Sequence, residues 1–565
     1  MNAVRRRVRA AKADVQAKRH KEGWILARQP MTFADNTTWS NRDSDVTPLD
    51  QRTWTAWTIV GYWFSDVLCA QSWSGASAII AVGLTWREAT YCLILGTLTL
   101  AAPLCLNGAA GAELHVPFPI VARSSFGFLF SRFAIVIRMV TALFWHGKSH
   151  LSPMQSIQTY SGSTAMTQVI RAIWPSYLDI PNRLPASAGI TSQQLVSHLL
   201  FWSVQFPILL IPPHKLRWFF VAKAVIVLAA GIGTIIGMTH LAGGTGAIWD
   251  QQPTVHGSTR AWLILTSMSS LTGGWATMAT NVADFTRYLK KPSAVYWQIF
   301  LVPFVCTLLG LFGIIATSCS KVVYGEYIWD PLELASHWNG PTGRTAAFFV
   351  GVAWVIAQIG TNLSANVISC SNDMTSLFPK YINLRRGAII TTVIAGWIMV
   401  PWKIVNSAQS LLNFMGALGI FLAPIAAILG CDYWFVKHKA IDVPALYRRH
   451  GRYNYGSKWG TNWRAAVALI VGFVPNLPGM AAAVNPKVKI GGAKYVYDIF
   501  YLYGFIATFA LYLVLNKLFP DAGTVIPAAI HEETIVINGQ ETVNDGLHEF
   551  SKGPVTYISS EDAKV

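Results

Sequence analysis

Between residues 56 and 517 the chain is nearly free of charge. Of its 44 Lys+Arg and 27 Asp+Glu, 17 fall in residues 1–55 and 10 in 518–565, leaving 44 for the 462 residues between. That is fewer than one in ten, against roughly one in four for a soluble domain. So sparse a supply cannot cover a water-facing surface of that length. The chain is therefore read as an all-α polytopic membrane protein. Soluble enzymes, nucleic-acid binders and secreted disulfide scaffolds are excluded. The seven Cys support this, because most lie in apolar runs and none forms a Cys-x-x-Cys pair.

Two polar tails flank the apolar stretch. Residues 1–30 carry nine Lys/Arg and no apolar core, which is unlike a cleavable leader. Such an arm either lies near anionic lipid or is plainly disordered. The division is a basic cytoplasmic tail (1–55), a transport core (56–435), a cytoplasmic loop (436–464), two further helices (465–517) and an acidic tail (518–565) that reads as disordered.

A span needs about 20 mostly apolar residues. Twelve are read, near 57–82, 89–110, 133–170, 198–212, 216–241, 262–283, 294–318, 346–370, 387–402, 408–435, 465–482 and 498–517. Backbone groups in lipid must bond internally, so these are helices. With the N-terminus inside, the inner loops hold 17 Lys/Arg and the outer loops 10. Both termini are thus expected in the cytoplasm.

Two spans carry interruptions. Span 1 holds Gly61, Ser65, Asp66 and Ser72-Trp-Ser-Gly75; span 6 holds Thr272, Gly273 and Gly274. Small polar residues at mid-span let a helix unwind, and unwound backbone can meet an ion or polar solute. Packing through small residues is the competing account. Breaks in spans 1 and 6 match two inverted repeats of five helices.

Several side chains suit a planar solute. Trp145 could stack on a ring. Gln158 offers donors and an acceptor to an NH–C=O edge. The end of span 8, 361–373, is rich in Thr, Ser, Asn and Asp, including Asn362, Asn366 and Asn372. Polar groups there are costly unless they meet each other, water or a ligand. Asp284 and Arg287 stand three apart and could form a gate-side salt bridge, or pin a helix end. No hydrolase elbow, phosphate-binding loop or paired metal-ligand motif occurs, so neither cofactor nor covalent chemistry is expected.

These residues carry a family likeness. Gln51-Arg-Thr-Trp54, Phe118-Pro-Ile-Val-Ala-Arg-Ser-Ser-Phe-Gly127, Gly273-Gly-Trp-Ala-Thr277, Asn281-Val-Ala-Asp-Phe-Thr-Arg-Tyr288, Thr361-Asn-Leu-Ser-Ala-Asn366, Asn372-Asp373 and Tyr381-Ile-Asn-Leu-Arg-Arg-Gly387 resemble the nucleobase–cation symporter-1 family. The likeness is to its fungal branch of uracil, uridine, allantoin and uric acid permeases. It implies a five-plus-five inverted-repeat fold with discontinuous helices 1 and 6. It also implies proton-coupled symport at the plasma membrane, whereas bacterial relatives use sodium. It assigns Trp145 as the stacking residue, Asn366 to the substrate edge and Phe414 as the selectivity aromatic of helix 10. Gly274 and Asn372 join the substrate set. Thr361, Ser364, Ala365 and Ser65 form the cation region.

One stretch departs from the pattern. The family's glutamine follows its tryptophan by four residues, but Ser149 stands there. Omitting residues 148–156 would bring Gln158 into place. That segment puts Lys148, His150 and Pro153 at mid-membrane depth. It is either a splice remnant or a genuine insertion, and transcripts lacking those 27 nucleotides would decide for the first. The expected cargo is uracil first, then allantoin or uric acid. Uridine and a vitamin-like heterocycle are alternatives, as is a non-transporting receptor or scaffold.

Overall fold

The computed structural model describes residues 21–27, 29–34, 38–146, 157–185, 188–211, 217–246, 248–398, 408–485, 487–531, 533–537, 540–544 and 555–557. The segment 148–156 lies outside them. So do the side chains of Trp145 and Phe414, although both residues stand on described helices.

The helices run α1 (Ala56–Val67), α2 (Ala70–Ala81), α3 (Trp86–Leu114), α4 (Phe118–Phe126), α5 (Ser131–His146), α6 (Ile157–Ile173), α7 (Ser192–Leu209), α8 (Arg217–Leu241), α9 (Gly257–Gly274), α10 (Ala276–Asn281), α11 (Ala283–Thr286), α12 (Gln298–Tyr324), α13 (Pro331–Ser336), α14 (Gly340–Thr361), α15 (Ser369–Leu377), α16 (Leu384–Val393), α17 (Ala408–Cys431), α18 (Trp463–Phe473), α19 (Leu477–Val484), α20 (Lys494–Asp498) and α21 (Phe500–Leu518). A π-helical segment, Asn362–Ile368, joins α14 to α15. Another, Asp432–Val436, extends α17.

Seven helices among the described residues are long and apolar enough to cross a membrane unaided. They correspond to spans 2, 5, 7, 8, 10, 11 and 12. The other five expected spans fall short for visible reasons. Span 1 divides into α1 and α2, and span 6 into α9, α10 and α11. Span 3, overlong in the sequence, forms two helices, α5 and α6, on either side of 147–156. Span 4 is diluted by Gln193, Gln194, Ser197, His198 and Gln205. Span 9 ends where 399–407 leave the described residues.

The bundle packs as α14 along α6, α12 along α3, and α17 against both α9 and α21. Trp63 and Trp73, both fully buried, fill its centre, and Trp63 donates to Gln298 Oε1 at 2.8 Å. Close approach of α6 and α7 depends on one glycine. A Cβ on Gly162 would lie 2.1–2.5 Å from three ring carbons of Phe201. A rigid buried ring cannot yield that much. Gly162→Ala should therefore cost about 1–3 kcal/mol as overpacking, read as a lower melting temperature in detergent.

The N-terminal segment is no free tail from Phe33 onward. Phe33, Ser40, Asn41 and Thr47 are buried. Asn41 Nδ2 donates to Pro379 O (3.1 Å) and Ile382 O (2.8 Å), and Leu384 N donates to Asp43 Oδ2 (2.7 Å). Tyr447 Oη donates to Ser44 O, and Arg123 donates to Trp39 O and Ser40 Oγ. This belt covers the face expected to be cytoplasmic. The C-terminal tail is also not wholly structureless. Beyond α21, Ile530 pairs with Ile441 and Val443, and β1 (Glu533–Ile537), β2 (Gln540–Asn544) and β3 (Val555–Tyr557) form an antiparallel sheet in the order β2-β1-β3.

Candidate functional site

The α1–α2 break sets up one side of the site. Cys69 is extended, and its N–H turns to Val67 O instead of Ser65 O. The carbonyls of Ser65 and Asp66 therefore lose their helical donors. In a membrane interior such groups must find other partners. Lys223 of α8 donates to Ser65 O, and Thr361 Oγ1 donates to Asp66 O at 3.2 Å. Lys223 Nζ also donates to Thr361 Oγ1 at 2.8 Å, and Ser364 Oγ donates to Asp66 Oδ1. Ser65, Thr361 and Ser364 are thus gathered where α1 crosses span 8, with Asp66 and Lys223 between them. The π-helical turn that holds Ser364 and Asn366 adds one residue to the helical ring, a distortion frequent at functional sites.

The span 6 break faces the same region. Trp275 leaves helical geometry between α9 and α10. A small, nearly closed cavity of about 10 Å³ lies there, bounded by Gln71, Gln158, Gly274, Trp275, Thr277, Met278, Thr361, Ala365 and Asn366. Gln158 Nε2 donates to Gln71 Oε1 at 2.7 Å, and Gln71 Nε2 donates to Gly274 O at 3.4 Å. Gln158 Oε1 takes no hydrogen bond among the described residues. Asn366 Nδ2 donates to Asn362 Oδ1 (3.0 Å), and Asn362 Nδ2 donates to Thr159 Oγ1 (3.2 Å) and Gln205 Oε1 (3.1 Å). Amides so linked are held in fixed orientation, as a hydrogen-bond reader of a flat ring requires.

Of the residues expected from sequence, Gln158, Asn366, Gly274, Thr361 and Ala365 border one cavity. Ser65 and Ser364 stand at the adjoining crossing. Asn372 is buried on α15 and is not among the cavity's walls. Sequence reading passed over Gln71, Trp275, Thr277, Met278 and Lys223. A charge inside the apolar run of α8 was the available signal for Lys223.

The salt bridge between Asp284 and Arg287 is not present among the described residues. Asp284 Oδ1 instead accepts from Phe118 N at 3.0 Å, and Asp284 Oδ2 accepts from Asn281 Nδ2 at 3.2 Å. Arg287 reaches Asp43 O at 3.2 Å. Arg287 keeps helical backbone geometry at the end of α11, but its side chain is taken up by Asp43 O in the N-terminal belt. Two other buried pairs hold the bundle. Arg138 pairs with Asp373, linking α5 to α15. Lys437 pairs with Asp432 at the inner end of α17 at 2.6 Å. No group of three or more His, Cys, Asp or Glu that could hold a metal occurs among the described residues.

Between spans 7 and 8, Asp330 caps α13 by accepting from Leu332 N at 2.8 Å. Burial pushes its carboxyl up to about 6, with neighbouring Glu333 adding to the rise. The folded state then binds this proton more tightly than the unfolded chain. Its stabilising contribution is full below about pH 4 and is lost as pH rises through 6. Wild type should lose stability relative to Asp330→Asn between pH 4 and 7, measured by paired thermal melts.

Comparison with known proteins agrees with this architecture. A family profile described as permeases for cytosine/purines, uracil, thiamine and allantoin matches residues 45–504. An uncharacterised permease of Schizosaccharomyces pombe is 35% identical over 87% of this chain and 86% of its own length. The allantoin permease of Saccharomyces cerevisiae is 32% identical, and the uracil permease of the same yeast 31%, each over 87% of this chain and 78% of the relative. Among solved structures, Mhp1, a nucleobase-cation-symport-1 family transporter, resembles this fold in its closed conformation with bromovinylhydantoin bound. The TM-score is 0.67 at 21% identity, over 86% of this chain and 98% of that one. Its inward-facing conformation gives 0.63, over 88% and 97%.

Proposed function

This chain belongs to the nucleobase–cation symporter-1 family of multi-pass secondary transporters, and we propose that it imports a small planar heterocycle bearing an amide edge across the plasma membrane, coupled to protons. Being a transporter, it is not an enzyme. Uracil is the first cargo proposed, with allantoin and uric acid next. The observation that carries this reading is the cavity at the two helix breaks. There Gln158, whose buried Oε1 has no hydrogen-bond partner among the described residues, lines the same cavity as Asn366. A ring with adjacent N–H and C=O groups complements an amide that both donates and accepts.

In this reading Trp145 and Phe414 enclose the ring, Gln158 and Asn366 read its edge, and Gly274 leaves room for it. Span 6 unwinds at Gly274 and span 1 at Leu68-Cys69, within a twelve-span bundle of two inverted repeats plus two helices. Asp284 and Arg287 hold the inner ends of the helices. Both termini lie in the cytoplasm, and the fungal branch supplies the expectation of proton coupling. Relatives named for uracil and allantoin support the cargo class.

The test is uptake of labelled uracil at low external pH in yeast lacking its own nucleobase permeases, with surface localisation checked. Unlabelled allantoin, uric acid, uridine and cytosine compete, and a proton uncoupler serves as control. Saturable, uncoupler-sensitive uptake is expected. Surface-located protein that takes up neither uracil nor labelled allantoin would sink the cargo assignment. The same assay on a chain lacking 148–156 tells whether that segment alters transport, and no uptake by either chain would favour a receptor.

A further inference from the structure

We propose that Gln205 of α7 is a positioning residue for cargo binding: it holds Asn362 so that Asn366 presents its amide to the cavity in one orientation. The inference rests on the reading that Asn366 meets the edge of a transported ring. It adds a residue that reaches the ring only through two others.

Three amides stand in line. Gln205 Oε1 accepts from Asn362 Nδ2 at 3.1 Å, and Asn362 Oδ1 accepts from Asn366 Nδ2 at 3.0 Å. Asn366 lines the cavity, while Gln205 and Asn362 are not among its walls. The middle amide is fully committed. Asn362 Nδ2 has two N–H groups, and they go to Gln205 Oε1 and to Thr159 Oγ1 at 3.2 Å. Its oxygen is then the group left for Asn366. Turned the other way, Asn362 would set oxygen against oxygen at Gln205 and N–H against N–H at Asn366. Asn366 thus spends one N–H on Asn362, and its Oδ1 and second N–H remain for a ring.

The energetics of Gln205 point the same way. It is fully buried within a span, and its Nε2 has no partner among the described residues. A primary amide in a membrane interior is costly, and leaving one end of it unpaired adds to that cost. A leucine or methionine would serve helix packing without either penalty. The one bond that offsets the cost leads to Asn362, and from there to the cavity. The same Asn362 amide also fixes α6, since Thr159 follows Gln158 directly. The two residues that read the ring edge are therefore held in register with each other through Asn362, and Gln205 supplies the anchor from α7.

The test is uptake of labelled uracil, or of labelled allantoin where uracil is not carried, with rates divided by surface abundance. Gln205→Met keeps the length of the side chain and removes the acceptor. It should raise KM about 3- to 10-fold, the value of one hydrogen bond. The maximal rate should stay close to wild type, as it does when binding alone is weakened. Gln205→Glu keeps an acceptor oxygen at the same reach and should restore KM to near wild type. A merely structural glutamine would lower abundance and leave KM alone. An unchanged KM in Gln205→Met, or a Gln205→Glu KM no better than that of Gln205→Met, overturns the inference. If Gln205→Met does not reach the surface, Gln205→Ala takes its place.

A second measurement needs no cargo. Melting temperatures of purified wild type, Gln205→Met, Asn366→Ala and the double variant form a cycle. Gln205 and Asn366 share no direct hydrogen bond, so their losses couple only through the partner they have in common, Asn362. A double variant that loses less than the sum of the singles supports the relay, and strict additivity overturns it. If neither uracil nor allantoin is carried, the cargo reading fails while this cycle still decides the relay.

Discussion

Asp432→Asn should destabilise the protein strongly. Asp432 and Lys437 are buried at the inner end of α17, with side chains 0% and 1% exposed. The carboxylate accepts from Lys437 Nζ through both oxygens at 2.6 Å, from Ser125 Oγ at 2.9 Å and from Tyr512 Oη at 2.8 Å. The lysine also donates to Ser124 O at 3.0 Å. One pair thus joins α4, α17 and α21. Removing the negative charge leaves the ammonium buried and uncompensated. Breaking a buried pair from one side costs about 3–5 kcal/mol, whereas replacing both partners is often close to neutral. Asp432→Asn should lower the melting temperature by several degrees and reduce surface abundance. The double variant Asp432→Asn/Lys437→Met should regain most of the loss. If single and double variants melt together, the pair is not what joins these helices.

Gln158→Ala should have the largest effect on transport. The alanine removes an amide that borders the cavity and leaves Gln71 Oε1 without its 2.7 Å donor. Losing a hydrogen bond to cargo while orphaning a buried acceptor amounts to about 1–3 kcal/mol, or roughly a 10- to 100-fold drop in kcat/KM for uptake. Because the orphaned Gln71 acceptor is buried, part of this cost falls on stability, so uptake is normalised to surface abundance. Gln71→Ala should fall between wild type and Gln158→Ala, since Gln71 orients the amide that does the reading. Uptake by Gln158→Ala at the wild-type rate would remove the amide from the recognition of cargo.

Much of this architecture was legible in the residues themselves. Depletion of charge announced the membrane. Ser65-Asp66 and Gly273-Gly274 marked the two breaks, because small polar residues in apolar runs have few other reasons to be there. Gln158 and Asn366 were visible for a related reason: amides at mid-span are costly unless used. What stayed hidden needed three dimensions. Gln71 lies beside a break but owes its place to a contact across to Gln158, far along the chain. The π-helical turn at Asn362–Ile368 has no sequence mark. Helical spacing suggests a pair between Asp284 and Arg287, but Asp284 is taken by Phe118 N and Asn281 and Arg287 by Asp43 O. Lys223 is legible in principle, since a single cation in the apolar run of α8 carries more information than the leucines around it.

The belt formed by Phe33, Ala34 and residues 38–47 bears on how the protein is made. This stretch leaves the ribosome early, yet its partners at Pro379, Ile382, Leu384 and Tyr447 are synthesised several hundred residues later. Until then the Asn41 amide N–H groups and the Asp43 carboxylate lack these partners, although Arg123 already reaches Trp39 O and Ser40 Oγ. Closure of the inner face is therefore a late event in biogenesis, delayed until nearly four-fifths of the chain has been translated. A chain halted before Tyr447 would leave this belt without its late partners, and that distinguishes an unfinished transporter from a finished one.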